Sequence, residues 1–211
     1  MNKQNEGMVE EMDQAKKAKV RFVLNLAAIL SIYFFSGPET YENAAIQACM
    51  EAWPDAAAAS IRSLVTISSV VSVPVMLLVS PFAGKRIRYR TLMLSGAILA
   101  LAGGLIPFFY APSWNFILAC RAVMGVGAGF FGVRSALLFQ AVPAEKRDRY
   151  VGYGNVAVYT ASLLAGPVCG LLTERGWQFS FLFNCIGLVT AVLVLLLLKE
   201  PEPAESGEET A

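Results

Sequence analysis

Apolar residues run along this chain in six long stretches, separated by short polar or charged segments. A helix needs about 20 residues to cross a hydrocarbon core of about 30 Å, and each stretch is long enough. Barrel strands would alternate apolar and polar positions, which these stretches do not, so helices are the predicted spanning form. The predicted spans cover residues 20–47, 56–83, 91–110, 114–142, 151–172 and 179–198. The pattern therefore predicts an all-α membrane protein with six transmembrane helices.

Composition agrees with that pattern and narrows the chemistry. Of the 211 residues, 56% are hydrophobic and 16% are charged, whereas a soluble domain carries roughly a quarter charged residues. The net charge of +1 gives no overall field that would attract nucleic acid, and the chain has no histidine. The cysteines lack metal-ligand or disulfide spacing; they are Cys49, Cys120, Cys169 and Cys185. We therefore expect no enzyme activity, cofactor, metal site or nucleic-acid partner.

The positions of lysine and arginine predict the orientation. With the N-terminus in the cytoplasm, 13 of the 17 basic residues fall on the cytoplasmic side, as the positive-inside rule requires. They are Lys3, Lys16, Lys17, Lys19, Arg21, Lys85, Arg86, Arg88, Arg90, Lys146, Arg147, Arg149 and Lys199. We predict a multi-pass protein of the cell membrane with both termini cytoplasmic. No removed signal peptide is expected, because the first apolar stretch lacks a small-residue cleavage site.

Three regions follow from these patterns. Residues 1–19 form a polar cytoplasmic N-terminal tail, residues 20–198 the six-helix bundle, and residues 199–211 an acidic C-terminal segment. The last segment, KEPEPAESGEETA, contains five glutamates and two prolines and too little apolar surface to fold. We expect it to be a solvated tail or the start of a linker.

The first span contains a break. Its uninterrupted apolar run, residues 20–35, is short for a span, so the helix either continues through Gly37 and Pro38 or ends before them. In the first case Glu39 enters the membrane or its outer edge, beside a break of the kind that adjoins transporter binding sites. In the second case Glu39 lies in the outer loop. The sequence leaves both interpretations open.

The fourth span carries the stretch RAVMGVGAGFFGVR, residues 121–134. Its G-x-G-x-x-G spacing does not indicate a dinucleotide turn, because no strand precedes it and the next acidic residues follow in a basic loop. On a helix, Arg121, Gly125 and Gly129 share one face, and a G-x-x-x-G pair lets a second helix approach closely. The stretch therefore predicts a packing seam that ends in a membrane-embedded arginine.

A charge inside the membrane needs a partner or water. Glu39 is the acidic residue nearest in depth to Arg121, so we expect a pair between them or a shared anion and proton site. Arg134 lies 13 residues further along, about 20 Å towards the cytoplasm. Its side chain either lines the transport cavity or snorkels to the cytoplasmic interface, and snorkelling is the simpler interpretation.

Four motifs, in order, resemble those of the major facilitator superfamily. RAVMGVGAG resembles the R-x-x-x-G-x-G-x-G signature of its fourth span, and AGPVCG, with Gly166, Pro167 and Gly170, resembles its G-P-x-x-G motif in the fifth. ERGWQFSFLFN resembles the entry to its sixth span, and SPFAGKRIRYR occupies the place of its G-x-L-a-D-r-x-G-r-k loop. The resemblance covers residues 20–198 and implies one major-facilitator-type bundle, a 3+3 inverted repeat.

The basic loop departs from the family pattern. Gly84 stands where the family has aspartate, although Lys85, Arg86 and Arg88 keep the basic half of the motif. These cations either contribute to gating between bundles or act only as positive-inside anchors. Family members usually have two six-span bundles, and this chain resembles the N-terminal one. The resemblance thus implies that two copies pair, that another chain supplies the second bundle, or that the chain is a truncated product.

The resemblance also assigns surfaces. Spans one and four would line the substrate cavity, and spans two and five would face the second bundle. Asn155, Tyr159 and Ser162 lie at i, i+4 and i+7 of the fifth span, so they form a polar stripe that faces such a surface or bonds to neighbouring helices. The G-P-x-x-G motif would form a kinked, closely packed helix without ligand contact.

The predicted function is secondary active transport of a small solute by alternating access, with proton coupling through Glu39 as an option. The alternative is a six-helix membrane protein that transports nothing and acts only by interaction. Substrate, direction and coupling ion do not follow from the sequence, since one fold serves many functions.

Overall fold

The fold is an all-helical bundle, described by a computed structural model over residues 2–36 and 45–200, with side chains from residue 12 onward. Its α-helices are α1 (Asn2–Phe35), α2 (Ile46–Ala52), α3 (Ala58–Val79), α4 (Tyr89–Phe109), α5 (Trp114–Phe131), α6 (Arg134–Ala141), α7 (Arg147–Thr173) and α8 (Ile186–Leu197). The 3₁₀ segments Ser80–Phe82, Ala144–Lys146 and Trp177–Cys185 extend or connect them. Six segments are long and apolar enough to span a membrane: Met12–Phe35, Ala58–Phe82, Tyr89–Phe109, Trp114–Ala141, Ala144–Thr173 and Trp177–Leu197. The predicted fold class is confirmed.

The first span is shorter on its outer side than the sequence predicts. α1 ends at Phe35, and after Ser36 the sequence continues with Gly37 and Pro38, which are both poor helix residues. Gln47, the predicted last residue of the span, belongs instead to the separate helix α2, which is held to the bundle by the buried Cys49. Glu39 lies outside the described residues. At its other end α1 extends through the polar segment to Asn2, so the N-terminal tail continues the helix.

The fourth span is broken, whereas the sequence predicts one continuous helix. α5 ends at Phe131 and α6 begins at Arg134. Between them the amide of Gly132 donates to the carbonyl of Gly129 at 3.1 Å, an i to i−3 bond that replaces the α-helical ladder. Arg134 therefore starts a new helix of eight residues.

Glycines let α5 pack closely between α3 and α4. A Cβ atom placed on Gly125 would lie 2.6 Å from the carbonyl oxygen of Ser68 in α3, and one on Gly129 would lie 2.6 Å from Cβ of Val75. On the opposite side, a Cβ on Gly127 would lie 2.6 Å from the carbonyl oxygen of Gly96 in α4. The backbones approach here because no side chain separates them, as in small-residue packing between membrane helices.

The bundle has two chemically distinct ends. The tryptophan end carries Trp53, Trp114 and Trp177, and the Trp53 ring centroid lies 6.3 Å and 5.8 Å from those of the other two. The basic end carries the loop of residues 83–88, the segment Ala144–Lys146 and Lys199. Clustered aromatic side chains at one end and cations at the other are typical of the two interfacial zones of a membrane protein.

At the basic end, two residues that follow α8 form hydrogen bonds to α4 and α1. Both carboxylate oxygens of Glu200 accept hydrogen bonds from the N-terminus of α4, from the amides of Tyr89 at 2.6 Å and Arg90 at 3.0 Å. The amide of Lys199 donates to the side-chain oxygen of Asn25 in α1 at 3.0 Å. The helix cap of α4 thus comes from a residue 111 positions away, because its own N-cap residue, Arg88, has no side chain that can accept.

We expect Glu200→Ala to lower the free energy of unfolding by about 1 kcal/mol, because it removes the cap and the charge at a helix N-terminus. The measurement is thermal unfolding in detergent micelles, followed by tryptophan fluorescence. Glu174→Ala is the matched control, since this residue lies at the C-terminal end of α7, at the other end of the bundle. Equal melting temperatures for the two variants would contradict the capping role.

Candidate functional site

Arg121 is a fully buried cation in the half of the bundle nearer the tryptophan end. Its guanidinium carbon lies 4.9 Å from the centroid of the Phe181 ring, and Nη1 lies 2.9 Å from the sulfur of Met124. The ring face attracts the cation electrostatically, more strongly when water is excluded. Ser68 of α3 donates to the carbonyl oxygen of Arg121 at 3.0 Å. The predicted contact with Glu39 remains a prediction.

A cavity of about 70 Å³ with polar and apolar walls lies mainly between spans one, two and four, where Ala100 of the third span also borders it. Its polar lining consists of Ser36, Ser68, Ser69, Ser72 and Arg134. Its apolar walls are formed by Phe35, Val65, Ala100, Met124, Ala128 and Phe131. Several hydroxyl groups and a guanidinium thus converge on one space inside the bundle.

The cation of this cavity is held in place by two contacts. The guanidinium carbon of Arg134 lies 5.1 Å from the centroid of the Tyr33 ring, and Nη1 donates to the carbonyl oxygen of Phe131 at 3.3 Å. Tyr33 is itself fixed, because its hydroxyl lies 3.2 Å from that of Ser135. Arg134 also begins α6, about 12 Å of helix away from the basic end. Arg134 thus lies in the cavity wall, one of the two places that the sequence left open for it.

Sequence reasoning missed the serine cluster of span two. Ser68, Ser69 and Ser72 follow a spacing of i, i+1 and i+4 in α3, which places them on adjoining faces of one helix turn. The hydroxyl of Ser72 donates to the carbonyl oxygen of Ser69 at 3.0 Å, whereas the hydroxyl of Ser69 makes no hydrogen bond in the described part of the chain. The signal in the sequence was S-S-x-x-S within an apolar span.

The polar stripe of span five lies elsewhere. Asn155 and Tyr159 are exposed on the surface of α7, and the hydroxyl of Ser162 donates to the carbonyl oxygen of Val158 at 3.1 Å. The G-P-x-x-G motif lies on the same helix: Gly166 and Pro167 are exposed, and a Cβ on Gly166 or Gly170 would meet no atom within 4 Å. The motif also contains Cys169, which is buried against Ala165 and Phe183, and none of its residues lines the cavity.

The backbone conformation of the basic loop accounts for glycine at position 84, where the family motif has aspartate. Lys85, Arg86 and Arg88 are exposed at its surface. Gly84 has φ +74°, a left-handed conformation that favours glycine, and a Cβ there would lie 2.5 Å from Cε2 of Tyr89. An aspartate at this position would therefore be strained and would displace the Tyr89 ring.

Comparison with known proteins matches the chain to one family. The family model for the Major Facilitator Superfamily matches residues 21–211. The MFS-type efflux pump MFS1 of Trichophyton rubrum is 33% identical over 104 residues, and the efflux pump aflT of Aspergillus parasiticus is 35% identical over 99. Multidrug resistance protein 1 of Bacillus subtilis is 27% identical over 138 residues. These alignments cover 47%, 45% and 63% of this chain.

A solved structure matches the fold. It is that of the MFS proton:xylose symporter XylE bound to 6-bromo-6-deoxy-D-glucose, with a TM-score of 0.69 and 15% sequence identity over 87% of this chain. The chain covers 46% of that structure and 19%, 19% and 35% of the three relatives. It therefore spans less than half the length of the proteins it matches, and its helices correspond to one half of the family fold.

Proposed function

The chain belongs to the major facilitator superfamily, and from that premise we propose that it forms one half of a secondary active transporter that moves a small solute by alternating access. The observation that carries this proposal is the cavity between spans one, two and four, which has several hydroxyl groups and the cation of Arg134 in its wall. A charge inside a membrane-spanning bundle is costly and marks a solute or ion path more often than a structural contact.

Alternating access needs a second wall for the cavity, since one bundle rocks against another around a midplane site. We propose that a second six-helix bundle, from a second copy or from another chain, covers the surfaces of spans two and five. In the apolar stretches of these two spans only 6% and 17% of the residues are buried inside the bundle, against 28% to 44% in the other spans. The exposed amide of Asn155 supports a protein or water neighbour there, because lipid could not satisfy its hydrogen bonds.

We further propose that the protein is a multi-pass protein of the cell membrane with its basic end in the cytoplasm. The lysines and arginines of the loop of residues 83–88 and of the segment Ala144–Lys146 support this orientation. Proton coupling is assigned to Glu39, the carboxylate predicted to lie at the depth of Arg121. A carboxylate beside a buried guanidinium can exchange a proton for an ion pair, which couples its charge to the conformational cycle.

The test is reconstitution into liposomes loaded with a pH-sensitive dye, followed by addition of a panel of sugars, amines and organic acids. We expect at least one solute to drive a change of internal pH that depends on its gradient, and Glu39→Gln to abolish the pH change. Light scattering of the same preparation establishes whether a second bundle is present. A preparation shown to contain two bundles that moves no solute of the panel would favour the alternative, a six-helix protein that acts only by interaction.

A further inference from the structure

We propose that the cavity between spans one, two and four binds the carboxylate of a small organic acid, with Arg134 and Ser69 as donors and Phe35, Met124 and Phe131 around its apolar body. This names the substrate class of the proposed transporter and rests on that proposed function. It follows from three features of the described residues: the charge of the cavity, its uncommitted donors and its size.

The first feature is charge. Arg134 lines the cavity. Among the described residues, no aspartate or glutamate lines it. In the described part of the chain, the ion pair between side chains joins Lys17 and Asp13, which lie exposed on α1 and outside the cavity. A cation in a membrane span favours an anion or water beside it and repels a second cation. The cavity thus selects against amines and for acids.

The second feature is the set of donors. Nε of Arg134 is buried and makes no hydrogen bond in the described part of the chain, although Nη1 is held by the carbonyl oxygen of Phe131. The hydroxyl of Ser69 is likewise uncommitted there. A buried donor without an acceptor is costly. A carboxylate in the cavity would accept from the Ser69 hydroxyl and, once the guanidinium turns towards it, from Nε of Arg134. Hydrogen bonds to ionised groups are about twice as strong as neutral ones.

The third feature is size and the nature of the walls. The cavity volume of about 70 Å³ is several times the roughly 10–15 Å³ that one water molecule requires. It is large enough for a carboxylate and a short apolar segment. The side chains of Phe35, Met124 and Phe131 supply the largest apolar part of the lining, beside the hydroxyl groups. A monocarboxylate with an apolar body fits this division, whereas a sugar would place hydroxyl groups against the apolar wall.

The test is equilibrium dialysis of the full chain in lipid nanodiscs, with empty nanodiscs as the reference. The probes are benzoate and hexanoate, each compared with its primary amide, which has the same shape without the charge. We expect at least one carboxylate to bind saturably and about tenfold or more tightly than its amide. This comparison needs no variant. If neither carboxylate binds more tightly than its amide, the proposal is wrong, and the cavity then serves a carboxylate of the protein itself or none.

Variants locate the binding. We expect Arg134→Gln to reduce carboxylate affinity to the level of the amide, and Arg134→Lys to retain part of it, since lysine keeps the charge without the planar donor set. Ser69→Ala should weaken binding less than Arg134→Gln. Arg62→Gln is the control, because Arg62 is exposed and outside this cavity. Equal affinity in wild type and Arg134→Gln would overturn the assignment.

The two proposals fail separately. Binding in nanodiscs does not require flux, so a chain that binds carboxylates but moves no solute contradicts transport and leaves the site intact. Conversely, a chain that moves neutral solutes in the liposome assay but does not prefer a carboxylate to its amide contradicts the site and leaves transport intact.

Discussion

Gly103→Ala is expected to lower the free energy of unfolding by about 3 kcal/mol. Gly103 lies on α4 where it crosses α5, and a Cβ placed on it would lie 2.6 Å from the backbone nitrogen of Met124 and still closer to the carbonyl oxygen of Cys120. Both atoms belong to the helix backbone, which cannot rotate away as a side chain can. The two helices would have to separate, and their contact is the most extensive in the described bundle.

The measurement is unfolding in mixed micelles of detergent and denaturing surfactant, followed by the fluorescence of the cluster of Trp53, Trp114 and Trp177. Gly166→Ala is the matched control, since it adds the same methyl group to a glycine in a membrane-spanning helix, where no atom lies within 4 Å. We expect this variant to be unchanged or slightly more stable, because alanine favours helix by up to about 1 kcal/mol over glycine. Similar losses in both variants would mean that helix propensity, and not close packing, sets the effect.

Arg121→Lys is expected to lower solute flux by on the order of 100-fold while the bundle remains folded. The guanidinium of Arg121 faces the Phe181 ring in a fully buried site. Lysine keeps the charge, but its ammonium group is compact, lacks the planar donor fork and is more strongly hydrated. The substitution therefore changes the geometry of the buried charge and not its sign. It also removes the contact of Nη1 with the sulfur of Met124, a residue that lines the cavity, and so would shift the cavity wall.

Flux is measured in liposomes with the solute identified for the wild-type protein, and melting temperature is measured on the same preparation. Arg62→Lys serves as the control, because this arginine is exposed in the first turns of α3. If Arg121→Lys retains full flux, the buried arginine has only a structural role. A large loss of melting temperature together with flux would also assign it to the fold.

The elements were largely predictable from local pattern. Apolar run length located all six spans, since a bilayer requires about 20 residues whatever their partners are. Spacing also predicted that Gly125 and Gly129 share a helix face, and both now lie against α3. At the end of α1 the sequence left two interpretations open, and the described helix ends before Gly37 and Pro38, as the second of them has it. The break between α5 and α6 was not predicted, because the apolar pattern continues across it.

The site was much less predictable. Arg121 was identified because a charge in an apolar run stands out by itself. The cavity was not, because its lining combines residues far apart in the sequence: Ser36 of the first span, Ser69 of the second and Arg134 of the fourth. A serine in a membrane span is ordinary when considered alone, and its role depends on what the neighbouring helices place opposite it.

The sequence by itself determined the membrane class, the six spans and the distribution of charge between the two ends, because the bilayer acts on each segment independently. The family resemblance came from short motifs in the sequence. Only the tertiary structure decided that Arg134 faces Tyr33 and the cavity, that Glu200 caps α4, and that Gly166 and Pro167 of α7 lie on an open surface. These features depend on the distances between helices. Such distances are set by close packing among all the spans together and not by the composition of any one of them.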